Sequence, residues 1–121
     1  MLIALWAVSA MLAVGVLGAG ILKLVRSRRA LIDGGMPWAE DFPAAAITAI
    51  AALEVVGAVG LILPLATGIA PVLSPVAAVC LAVLMLGAVV VHARRREPVT
   101  PPLALLVLAV AAAVLGFVVL G

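Results

Sequence analysis

The chain has 121 residues, 69% of them hydrophobic and 10% charged, with a net charge of +2 and a mean hydropathy of +1.51. That composition excludes an ordinary water-soluble domain, which needs far more polar surface, and points to an all-α integral membrane protein. Spanning the hydrocarbon takes about 20 apolar residues per helix. Four such runs, about 2–24, 44–63, 72–91 and 102–120, fill most of the chain. The expected architecture is a four-transmembrane-helix bundle, one domain over 1–121, with charged loops at 25–43 and 92–101.

The first run lacks a basic segment ahead of it and is too long for a typical signal-peptide core. Its charges, Lys23, Arg26, Arg28 and Arg29, follow it, as in a retained helix that inserts amino-terminus outward. The next stretch, "RSRRALIDGGMPWAEDFP", passes from basic to acidic and carries Leu31, Ile32, Met36, Trp38 and Phe42. Those apolar residues predict a segment that lies on the interface or folds back over the helix ends. Asp33, Glu40 and Asp41 are placed to pair with the arginines or to form a polar lid. Trp6 and Trp38 fall near opposite interfaces, where aromatic residues anchor membrane helices.

Pro43 marks the start of the second helix and Pro64 is expected to end it. Pro71 and Pro75 bracket the entry to the third, and "EPVTPP" stops that helix and starts the fourth. All seven basic residues fall at Lys23–Arg29 or Arg94–Arg96, in loops that alternating helices bring to one face. The loop "PLATGIAPVLSP" is uncharged. The positive-inside rule then places both charged loops in the cytoplasm and both termini outside, in one orientation. The expected location is a bacterial cytoplasmic membrane.

Within the spans, one residue breaks the apolar pattern. Glu54 shares a helix face with Ala51, Gly57 and Ala58, so it is expected to point into the bundle. Helices in lipid associate through small residues that allow close approach, and Gly15, Gly18, Ala19, Gly20, Gly87 and Gly116 fit that role. Ten residues from Ala44 put Glu54 about 15 Å into the membrane, near the midplane of a roughly 30 Å core. A carboxylate there is costly unless protonated, paired or hydrated, and such residues are candidates for function. Upright helices leave Lys23 about 15 Å away along the membrane normal, too far for a direct bond unless tilt, a deeper loop or a later start to the second helix closes the gap. The expected site is a polar pocket open to the cytoplasm, with Glu54 at its floor and Lys23 and His92 near its mouth. The competing structural reading is a neutral acid that ties two helices by a hydrogen bond worth about 1 kcal/mol.

Other chemistry finds little support. One His and one Cys do not make a metal site. Cys80 stands in an apolar helix with no CxxC pair and is expected to be buried and inert. No phosphate-binding loop occurs, and the basic clusters fit topology better than nucleic acid.

Four segments in order, "GAGILKL", "MPWAEDFP", "ALEVVGAVGLILP" and "LMLGAVVVHARRRE", resemble the DoxX-like family nearly end to end. The resemblance implies a four-helix integral membrane protein with Lys23, Glu54 and His92 as recurrent polar positions. It also implies kinship with a thiosulfate:quinone oxidoreductase subunit and with membrane redox complexes. A distant eukaryotic branch resembles the receptor chaperone NACHO. The site expected from residues and resemblance together comprises Lys23, Glu54, His92, Trp38, Glu40 and Asp41.

Three functions follow as expectations. The first is a non-catalytic membrane subunit or binding module for a hydrophobic ligand, quinone or lipid, or for a redox-complex protein partner. The second is a chaperone or assembly factor that holds other transmembrane helices. The third is a small proton-coupled transporter, against which the one-sided charge stands. No intrinsic cofactor is expected, catalysis by this chain alone is not, and a homodimer is open.

Overall fold

Four long helices account for most of the computed structural model, which describes residues 1–120. They are α1 (Leu2–Val25), α3 (Ala44–Thr67), α4 (Leu73–Arg94) and α5 (Thr100–Leu120), with a short α2 (Arg28–Asp33) and a 3-10 turn (Pro37–Asp41) between the first two. Each long helix is apolar on every side and long enough to cross a bilayer. In lipid the backbone must satisfy its own hydrogen bonds, and a single segment does so only as a helix. The chain is therefore a multi-pass, four-helix membrane bundle.

The helices form a closed ring in the order α1, α3, α4, α5, each packed on two neighbours. Leu12, Val16, Leu61, Ala78, Leu81 and Ala112 fill the centre. Small residues set the approaches, as the sequence predicts. A Cβ on Gly20 would stand 3.1 Å from the Ala51 carbonyl oxygen of α3, and one on Gly116 would stand 2.7 Å from Pro75 of α4. Gly18 and Gly87 do not follow that account, since a Cβ on either would meet nothing within 4 Å.

Several boundaries differ from expectation. Pro64 does not end α3, which continues to Thr67 and closes at Gly68 in the left-handed region, φ 72°. A proline inside a helix removes the N–H that would pair with the carbonyl four residues earlier, here that of Gly60. The next carbonyl, on Leu61, accepts a 2.6 Å bond from the buried Ser74 hydroxyl of α4. That bond ties α4 to the turn of α3 that carries the proline. Helix α4 extends to Arg94, so His92 lies inside its last turn instead of in a loop. Cys80 is exposed on the outer side of α4, not buried. It falls between the inward-facing Ala78 and Leu81, on the face that meets lipid.

The basic end of the bundle carries the most elaborate local structure. Ser27 caps α2 by accepting from the Ala30 N–H at 3.1 Å. Gly35, at φ 114°, turns the chain into the 3-10 turn. Leu31 and Ala39 are buried against Ile47 of α3, with Met36, Trp38 and Phe42 packed around them. Segment 26–42 therefore folds back over the helix ends and forms a cap on the bundle.

Candidate functional site

Glu54 is the eleventh of 24 residues in α3 and is 1% exposed. Its Oε1 accepts from Lys23 Nζ of α1 at 2.5 Å, and Lys23 is itself only 8% exposed. This direct ion pair shows that the separation of about 15 Å given by upright helices is closed. The upright estimate assumes that α1 and α3 end at one level. Instead Gly20 lies beside Ala51 and Glu54. Five residues of α1 follow Gly20, whereas seven to ten residues of α3 precede its neighbours Ala51 and Glu54. Helix α3 therefore starts beyond the end of α1, and Lys23 stands one turn past Gly20, within reach of the carboxylate. Close packing at Gly20 makes the pair.

The pair borders a cavity of about 390 Å³ in the basic-end half of the bundle, lined by all four long helices and the cap. Ile50, Leu84, Met85 and Leu105 supply apolar wall, and Lys23, Glu54 and His92 supply the polar part. Gly87 also lines it, which explains a glycine that no helix contact requires: its missing side chain leaves the space open. The Trp38 ring stands over Lys23, with Nζ 5.6 Å from its centroid, a cation–π distance. It also lies 6.2 Å from the His92 ring. Trp38 is thus turned onto the site by the cap and is more than an interfacial anchor. The His92 Nδ1 lies 2.7 Å from the Ala88 carbonyl oxygen, one turn back on its own helix.

Four of the six expected residues, Lys23, Glu54, His92 and Trp38, line this one cavity. Glu40 and Asp41 do not. They face Arg95, whose guanidinium bonds Asp41 at 2.9 Å, reaches Glu40 at 4.0 Å and donates from Nε to Glu97. The Glu97 and Asp41 carboxylates hold the Arg95 pKa above its usual value. Arg95 thereby ties the α4–α5 turn to the cap. From within the cap, Arg28 donates to the Phe42 and Glu40 carbonyls at 2.8 and 2.7 Å. The sequence predicts that Glu40 and Asp41 pair with arginines, and the arginine they meet is Arg95. A hint lay in the acidic "ED" that follows Trp38, but nothing in the sequence says which of seven basic residues meets it.

Among the described residues, no group of three or more His, Cys, Asp and Glu is placed to hold a metal ion. The arrangement can hold an amphiphile: an apolar body between the helices and a polar head at the Lys23–Glu54 pair and His92. Fold and cavity define a small multi-pass membrane bundle with a buried ion pair at a half-open, mainly apolar chamber. Its family is plain as well. The sequence pattern of the DoxX-like family matches residues 7–114, most of the chain, and the protein belongs to that family. No curated protein and no solved structure matches it.

Proposed function

We propose that this DoxX-like protein is a non-catalytic membrane subunit or binding module that seats a hydrophobic ligand, a quinone or lipid, in the chamber between its helices. The observation that carries the reading is the chamber itself. A volume of about 390 Å³ lies in the range of small-molecule sites, and a few convergent polar groups in apolar walls are their usual composition. The ion pair suits such a role, because it keeps two polar groups in the membrane interior at no net charge. A redox enzyme that carries its own cofactor would be the natural protein partner for a ligand-bearing subunit of this kind. The basic end faces the cytoplasm in this account, with both termini outside. The cap then contributes Met36 and Trp38 to the chamber wall on that side.

Native mass spectrometry of the gently purified protein tests the reading, wild type beside Gly87→Leu. Gly87 lines the chamber, and a Cβ there meets no atom within 4 Å, so the fold has room for the larger side chain at the chamber's edge. A quinone- or lipid-sized adduct on the wild type that is lost in Gly87→Leu, with thermal stability kept, is expected. An adduct retained by the variant would locate the ligand elsewhere.

A further inference from the structure

The polar groups in the chamber differ in what hydrogen bonding they have left to offer. His92 Nδ1 faces a carbonyl oxygen, which only accepts, so the ring proton sits on Nδ1. In the neutral imidazole, Nε2 then carries a lone pair and accepts. Glu54 accepts from Lys23 at Oε1, and among the described residues no side chain or backbone group donates to its Oε2. Lys23, the one cation lining the chamber, already spends its charge on Glu54. The chamber therefore offers unused acceptors and no unpaired positive charge.

We infer that the chamber selects an uncharged hydrophobic molecule whose head is a hydroxyl group, with the hydroxyl hydrogen donated to His92 Nε2. The inference rests on the chamber being a ligand site, as proposed above, and adds the chemistry of the head. A head with a carbonyl alone brings no hydrogen for the half-buried His92, and it leaves that acceptor covered and unpaired once water is displaced. An ionised acid head meets a lysine already neutralised and a carboxylate of its own sign beside it. An uncharged donor escapes both penalties. The body of such a molecule lies against Leu84, Met85 and Leu105. An aliphatic alcohol, an alkylphenol and the reduced quinol form of a quinone share this chemistry, so of the ligands proposed above the oxidised quinone is the one it disfavours.

A series with one tail and four heads tests it: farnesol, farnesal, farnesoate and farnesene, titrated at pH 8. The full chain carries two tryptophans, so Trp6→Phe leaves Trp38, on the chamber wall, as the fluorescent reporter. Farnesol is expected to bind roughly tenfold more tightly than farnesal, the effect of one covered, unpaired acceptor. Farnesoate is expected to bind no better than the hydrocarbon. His92→Phe keeps an aromatic wall and should bring the farnesol-to-farnesal ratio towards one with farnesal affinity unchanged. Farnesal equal to farnesol, farnesoate as the tightest ligand, or an unchanged ratio in His92→Phe overturns the inference. Binding of all four alike overturns the head selection alone, whereas binding of none overturns the ligand-site reading with it. Native mass spectrometry with farnesol and nonylphenol together separates an aliphatic from a phenolic hydroxyl by which adduct is retained.

Discussion

Lys23 and Glu54 illustrate how a membrane protein carries ionised chemistry. Each gives the other the partner that water supplies outside, and the Trp38 face adds to the enclosure. Removing one member leaves a buried charge with no partner, which generally costs about 3–5 kcal/mol. Glu54→Leu and Lys23→Met are each expected to lower stability by that order in detergent unfolding. The double variant Lys23→Met/Glu54→Leu should lie close to wild type, because a well-packed apolar pair replaces a buried ion pair at little cost. Additive losses in the double variant would show that the two residues do not interact. Gly20 belongs to the same contact. Gly20→Ala puts a methyl 3.1 Å from the Ala51 carbonyl and 3.2 Å from Glu54 Cβ. Overpacking of this kind generally costs about 1–3 kcal/mol, and the same unfolding assay reads it.

At the scale of elements, the two turns at the basic end hold the cap in place. Arg96 sits in the left-handed region, φ 57°, where α4 ends. The Glu97 N–H bonds the His92 carbonyl and the Arg96 N–H bonds the Ala93 carbonyl, the pairing that usually places glycine at this position. Arg96→Gly is therefore expected to stabilise the protein by roughly 1 kcal/mol, read as a raised Tm. Arg95, its neighbour, latches the cap through Asp41. Arg95→Ala should speed hydrogen exchange across 28–42 and leave the four long helices protected. Uniform exchange with wild type would mean that the latch carries no weight. The raised Arg95 pKa fixes the sign of the pH response. The contribution of such a group is fully present below its unfolded-state pKa and is lost only when pH climbs past the folded value. Raising pH from 7 to 10 should thus leave exchange in the cap unaltered by this group.

Across the whole molecule, legibility followed periodicity and length. Four apolar runs of spanning length define the four helices, and the inward face of Glu54 follows from helical spacing alone. What stayed hidden depends on how separate helices are staggered. The Lys23–Glu54 bond needs α3 to start beyond the end of α1, and no local pattern encodes that offset. Pro64 reads as a helix end because the contacts that hold this turn, Ser74 on the Leu61 carbonyl among them, come from another helix. Gly87 reads as a packing glycine because an open chamber and a close contact ask for the same residue. The cap was largely legible: its apolar residues predict folding back and its acidic residues predict pairing with arginines, but which arginine fastens it depends on where α4 ends.

Orientation is a property of the same scale. In a Cys80→Ala background, a cysteine at Ile69 should react with a membrane-impermeant maleimide in intact cells, and one at Ala30 should not. The reverse pattern would invert the assignment of the basic end.

The chamber as a ligand site is the central claim, and photolabelling in native membranes tests it most directly. A diazirine-bearing isoprenoid alcohol would be activated by light and the adducts mapped by peptide mass spectrometry. Label concentrated on Met36, Leu84, Met85 and Leu105, which line the chamber, is the predicted result. Label spread instead over the outward-facing Val83, Val107 and Val114, as any bilayer lipid would leave it, would contradict the account.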